Sequence, residues 1–241
     1  MAYSTPKASQ QLAARIAGFT LLLLIFSGLL SNFAFNAPLL VEGDATATLH
    51  NLVAHEHTLR LSLATGIVMF NCDIILAVAL FVLLKPVNEG LALLGTLWRV
   101  ANAFVLGAVD VYGFFIVGLP ESSAWQAALS PTQLQVLIKT LHSFEHYGSY
   151  IGLMFFCLGA GVHSFLLLKS RYIPRVLSGL YLFACVEMLV CFFVVLLFPR
   201  QMPSIGFVWL IPDLVAEIFV AAWLAFKGAA ISSPARETNA A

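Results

Sequence analysis

Residues 59–88 read LRLSLATGIVMFNCDIILAVALFVLLKPVN. From Leu61 to Leu84 the only acidic or basic side chain is Asp73. A run of this length wound as an α-helix rises about 36 Å, enough to cross a hydrocarbon core of about 30 Å. That core offers the backbone no water to bond, so a spanning run must be helical. Lys85-Pro86-Val87-Asn88 breaks the run, and a second apolar run begins at Leu91. A turn this short makes the two helices antiparallel neighbours.

The rest of the 241 residues repeats the pattern. Apolar runs of spanning length are expected at about Ile16–Phe35, Leu59–Leu84, Leu91–Leu119, Gly148–Leu168, Val176–Phe198 and Ile205–Phe226. The expected fold is all-α: one six-helix integral membrane domain over residues 1–241, with short tails at about 1–12 and 229–241. Composition agrees, since 61% of the residues are hydrophobic, 10% are charged and the mean hydropathy is +0.94. A soluble domain carries about 25% charged residues. The formal net charge is zero, which gives nucleic acid no basic surface to meet.

Charge placement sets an expected orientation. Lys7, Arg15, Lys85, Lys169, Arg171, Arg175, Lys227 and Arg236 fall on one side of the six runs, and Arg60, Lys139 and Arg200 near the other. By the positive-inside rule both termini are expected in the cytoplasm; the expected location is the plasma membrane. Lys7 and Arg15 before the first run resemble the start of a secretory signal, but the run is long and leads into Pro38, so an uncleaved helix is expected. Outside the membrane, Asp44 is placed to cap a helix from Ala45, and Ser130-Pro131 to start another. A helix from Pro131 to Leu168 would be about 57 Å long, so its first half must project or kink near Gly148. Gly148, Gly152 and Gly159 give it a small-residue face suited to close packing.

Charged groups inside a bilayer cost about 2.5–3.5 kcal/mol each on insertion scales and need partners. Asp73 and Arg99 lie thirteen residues either side of Pro86, which puts them at one depth of an antiparallel hairpin. A buried Asp73–Arg99 ion pair locking the two helices is expected. Glu187, Asp213 and Glu217 form an acidic group at one level, counted from a turn near Arg200-Gln201. They cannot all be ionised in a low dielectric, so protons or a cation (Arg60, Arg99 or a metal) must compensate. Asp110 shares a stripe with Arg99 and Asn102 but lies about 16 Å from Arg99 by helical rise, too far to pair.

Five of six histidines (His50, His55, His57, His142, His146) gather at the outer interface. His142 and His146 have the i, i+4 spacing by which one helix gives two ligands to an ion. His142-Ser143-Phe144-Glu145-His146 fits the H-x-x-E-H pattern, in which the glutamate is the general base. His50, Glu56 or His57 could complete the set, and such ligands suit Zn, Cu or Fe. Histidine is also an ordinary interfacial residue, so a solvated set is the competing reading. The four cysteines fall inside apolar runs without C-x-x-C spacing and read as packing residues. Neither nucleotide nor haem is expected: phosphate-loop and dinucleotide motifs are absent, and no two helices face each other with histidines at the inner side.

Several stretches resemble a bacterial membrane family, the domain of unknown function number 4386. They include Leu12-Ala13-Ala14-Arg15-Ile16-Ala17-Gly18, Glu42-Gly43-Asp44-Ala45, Cys72-Asp73-Ile74 and Leu83-Leu84-Lys85-Pro86-Val87-Asn88. Others are Trp98-Arg99, Leu141-His142, Gly152-Leu153-Met154-Phe155-Phe156, Ser170-Arg171-Tyr172-Ile173-Pro174-Arg175 and Leu210-Ile211-Pro212 with Glu217. The resemblance implies a topology and brings no activity, so it assigns no catalytic residue.

Three functions follow as expectations. The first is a metal site at the outer mouth acting on a small or lipid-like substrate. The second is movement of a proton or small solute through Asp110, Glu187, Asp213 and Glu217. The third is a non-catalytic accessory subunit or sensor, with an oligomer or a partner subunit in the membrane.

Overall fold

A computed structural model describes residues 6–36, 38–39, 41, 45–121, 130–198 and 210–231. Every regular element among them is helical. Helix α1 spans Pro6–Leu29 and runs on as a π-helical segment, Leu30–Asn36. The remaining helices are α2 (Ala45–Ala54), α3 (Glu56–Leu84), α4 (Glu89–Glu121), α5 (Pro131–Ser170), α6 (Arg175–Leu197) and α7 (Ile211–Ala222). A short π-helical turn, Trp223–Lys227, extends α7. Five helices are long and apolar enough to cross a membrane, within Lys7–Phe35, Glu56–Leu84, Glu89–Val111, Lys139–Ser170 and Arg175–Val194. The sixth expected run is helical from Ile211 to Lys227, and its first residues lie outside the described ones, as does Asp44.

The helices close into a ring. α1 packs on α3, α3 on α4, α4 on α5, α5 on α6, α6 on α7, and α7 with its π turn returns to α1. The closing contact is intimate. A Cβ on Gly18 would stand 2.1 Å from the Ala225 nitrogen and 2.7 Å from the Ala221 carbonyl, so only glycine lets the two backbones meet. Phe19 meets Phe226 edge to face at 5.7 Å beside it. The first helix begins ten residues before the expected apolar run because Gln10, Ala13 and Ala14 are buried in this ring. Hydropathy alone does not count such small and polar packing residues.

Ser130 caps α5 as expected. Its side chain accepts from the Gln133 backbone, the Gln133 side chain accepts from the Ser130 backbone, and Pro131 occupies the first turn. α5 then runs unbroken through Gly148. A Cβ there would meet Val109 at 2.4 Å, one on Gly152 would meet Leu106 at 2.7 Å, and one on Gly159 would meet the Gly95 carbonyl at 2.9 Å. The glycine face thus seats α5 against α4, and Gly148 serves contact, with no break in the helix. α2 rests on α3, α4 and α5.

The two ends of the ring differ. Leu76, Leu80, Leu83, Leu84, Leu166 and Leu167 belong to one large apolar cluster with α1 and α7, filling the end near Lys85, Lys169, Arg175 and Lys227. Hydrogen bonds clasp that end. Gln10 Nε2 donates to the Leu83 carbonyl (3.3 Å) and to Tyr172 Oη (3.4 Å), the Ala229 amide donates to Gln11 Oε1 (3.2 Å), and the Ala230 amide to the Tyr172 carbonyl (2.9 Å).

Candidate functional site

The polar centre of the ring is built on Arg99 of α4. Its side chain is fully buried, and the helix can carry it there because Gly159 of α5 leaves room: a Cβ at that position would come within 2.8 Å of Arg99 Cγ. Asp73 of α3 answers the charge. Arg99 Nε and Nη2 lie 2.7 Å and 2.6 Å from Asp73 Oδ1, and Asn102 Nδ2 donates to Asp73 Oδ2 at 2.7 Å. The guanidinium also lies over the Phe156 ring of α5, 5.1 Å from its centroid. The depth match counted from the Pro86 turn is therefore met by a buried ion pair.

The network continues across the ring. Arg99 Nη1 reaches Tyr181 Oη of α6 at 3.5 Å, and that hydroxyl donates to Glu217 Oε1 of α7 at 2.9 Å. Asp213 stands one turn further along the same buried face of α7. Four helices, α3, α4, α6 and α7, are thus linked by side chains at one level, with α5 closing the cage through Phe156 and Gly159. Several buried atoms have no hydrogen-bond partner: Asn102 Oδ1, Asp213 Oδ1, Glu187 Oε2 and both ring nitrogens of His163.

The other expected site residues fall as follows. Glu187 is half-buried and accepts from the Cys191 thiol of its own helix at 3.3 Å. Asp110 is half-buried against α3, its carboxylate occupying the space a side chain on Gly66 would need. Arg60, one expected counter-charge to the acids, instead pairs with Glu56 one turn away on α3; the cation at the centre is Arg99. Glu145 is half-buried and accepts from Ser149 at 3.3 Å. His50 and His57 are exposed, and the side chains of His142 and His146 lie outside the described residues. Among the described residues no group of three or more His, Cys, Asp and Glu is disposed to hold a metal ion. All four cysteines are free thiols.

Tyr181 and His163 are the central residues that sequence reasoning passed over. A search for charge in apolar runs does not register a hydroxyl. His163 stood alone near the opposite end from the other histidines, and nothing in its neighbours by sequence marks the close approach of Gly95 beneath it.

An all-helical bundle with spanning apolar helices and a charged, buried centre defines a membrane protein. A family model, "Domain of unknown function (DUF4386)", matches residues 16–228. The chain belongs to that family. Neither a curated protein nor a solved structure matches it.

Proposed function

We propose that this chain is a six-helix plasma-membrane protein, both termini cytoplasmic, that carries a proton or a small protonatable solute through the centre of its ring. The observation that carries this reading is the linkage of Asp73, Arg99, Tyr181 and Glu217 across four helices, with Asp213 beside it. A purely structural ion pair needs one acid for one arginine. This centre has two further buried carboxyls, whose charge state can change as a proton or cation arrives and leaves. The sidedness follows from the basic end, taken as cytoplasmic, where the apolar cluster seals the ring. Purified protein in liposomes should pass protons or solute down an imposed gradient, and Glu217→Gln should reduce that flux at least tenfold. Flux unchanged in Glu217→Gln rules the reading out.

A second reading is favoured by the seat of α2 on α3, α4 and α5, which brings the segment with His50, Glu56 and His57 to the end of the bundle where α5 begins. There His142 and His146 would hold Zn (or Cu or Fe), with His50, His57 or Glu56 as a further ligand. Glu145 would act as base on a small or lipid-like substrate. Elemental analysis of tag-free protein beside a His142→Ala/His146→Ala variant decides it: equal metal content in both removes the site.

A further inference from the structure

His163 lies on α5 four residues beyond Gly159, the residue against which Arg99 packs, and so about 6 Å nearer the basic end. It is 1% exposed, and its ring is pressed over Gly95 of α4, where a Cβ would stand 2.8 Å from Nε2. Neither nitrogen makes a well-formed hydrogen bond; the Ala92 backbone makes at most a weak one with the ring, and the charged group facing it from α4 is Arg99.

A neutral imidazole has one donor and one acceptor, and leaving either unmet in a buried site costs about 1–3 kcal/mol. The buried hydroxyls toward the same end donate their protons locally. Thr96 donates to the Ala92 and Ala77 carbonyls, Ser164 to Gly161 and Ser178 to Pro174. Among the described residues, His163 is thus the one fully buried titratable side chain between the Arg99 level and the basic end, and with no well-formed bond on either nitrogen it keeps bonding capacity unspent. Packing does not explain it, since leucine fills such a volume without an unmet polar atom, as Leu166 and Leu167 do one turn on.

We propose that His163 is the proton-exchange site of the inner half of the bundle. Its proton comes from the Glu217 carboxyl of the central network, since the Arg99 guanidinium releases none; it is taken on one ring nitrogen and another is released from the other nitrogen toward the basic end. The net change is a tautomer, which a ring flip resets with the proton delivered, so no other reactant is consumed. Seven residues of α5, about 10 Å, then remain to the end of the helix. The inference rests on the proton-carrying reading above and gives it a route.

The test is proton flux into liposomes loaded with a pH-sensitive dye, under a potassium diffusion potential. His163→Leu and His163→Gln should each lose at least tenfold in flux, while the thermal midpoint of His163→Leu stays equal or rises. His163→Gly should lose flux and regain it when imidazole is added, a rescue that a packing role would not produce. Wild-type flux in His163→Leu, or failure of imidazole to restore the glycine variant, overturns the inference. If Glu217→Gln stops the flux and His163→Leu does not, this route alone falls. If the wild-type protein passes no protons, the route falls together with the reading it rests on.

Discussion

Removing Asp73 isolates Arg99 in the middle of the ring. The guanidinium is buried, two of its nitrogens lie 2.6–2.7 Å from Asp73, and its next oxygen, Tyr181 Oη, is 3.5 Å away. Breaking a buried pair from one side costs about 3–5 kcal/mol, because the surviving charge is left without compensation. At about 1.4 kcal/mol per decade, that is a shift of roughly two to four orders of magnitude in the unfolding equilibrium. The two partners are not equivalent. A stranded carboxyl can take up a proton, whereas a guanidinium cannot release one. Asp73→Ala should therefore be costlier than Arg99→Met, and the double variant should be no less stable than Arg99→Met alone. Reversible unfolding in mixed micelles, followed by tryptophan fluorescence with Trp98 adjacent to the pair, gives all three values and the coupling between them. A cost below about 1 kcal/mol for Asp73→Ala, or additive single costs in the double variant, would show that the ion pair does not hold α3 to α4.

The ring closure makes a paired prediction. Gly18→Ala should lower the thermal midpoint by the equivalent of about 1–3 kcal/mol through overpacking against the α7 backbone, while Gly179→Ala, with nothing within 4 Å of its added methyl, should leave it equal or higher. Tyr181→Phe keeps the ring and removes the donor to Glu217. It should cost about 1–3 kcal/mol in the same unfolding assay and lower proton flux with it. Arg171 ends α5 at φ 60°, so Arg171→Gly should be neutral or stabilising by up to about 1 kcal/mol, read as a midpoint shift.

What the sequence discloses depends on how tightly a turn fixes depth. Between α3 and α4 the turn is four residues long and the Asn88 side chain accepts from the Leu91 amide, so counting from Pro86 places Asp73 and Arg99 correctly. Between α6 and α7 the link is longer, and the count from Arg200-Gln201 puts Glu187, Asp213 and Glu217 at one level without telling which of them bonds across. In the structure it is Glu217 that bonds across to α6, through Tyr181, while Glu187 takes the thiol of its own helix. Ring order was also out of reach. Hydropathy marks a helix as buried in lipid but not which helix lies beside it. The clue to the α1–α7 contact is small side chains, Ala13, Ala14, Ala17 and Gly18 against Ala221 and Ala225, and hydropathy does not tell a small residue that faces another helix from one that faces lipid. The glycine face of α5 was legible because three glycines stand in one short stretch.

The clasp at the basic end sets a condition on any carrier cycle. Half-buried Asp110, Glu145 and Glu187 lie on the other side of Arg99, whereas toward the basic end the apolar cluster and four hydrogen bonds close the ring. Neutral hydrogen bonds contribute about 0.5–1.5 kcal/mol each, so the clasp holds about 2–6 kcal/mol. That is a gap a ligand's preference for one of two states can overcome. Gln10 and Gln11 make three of the four bonds with their side chains. Gln10→Ala/Gln11→Ala should therefore raise liposome flux severalfold while Glu217→Gln placed on top of it still abolishes the flux. Lower flux in the double variant would mean that these bonds hold the working conformation together and do not gate it. Raised flux that persists with Glu217→Gln would mean that the opened ring leaks without using its polar centre.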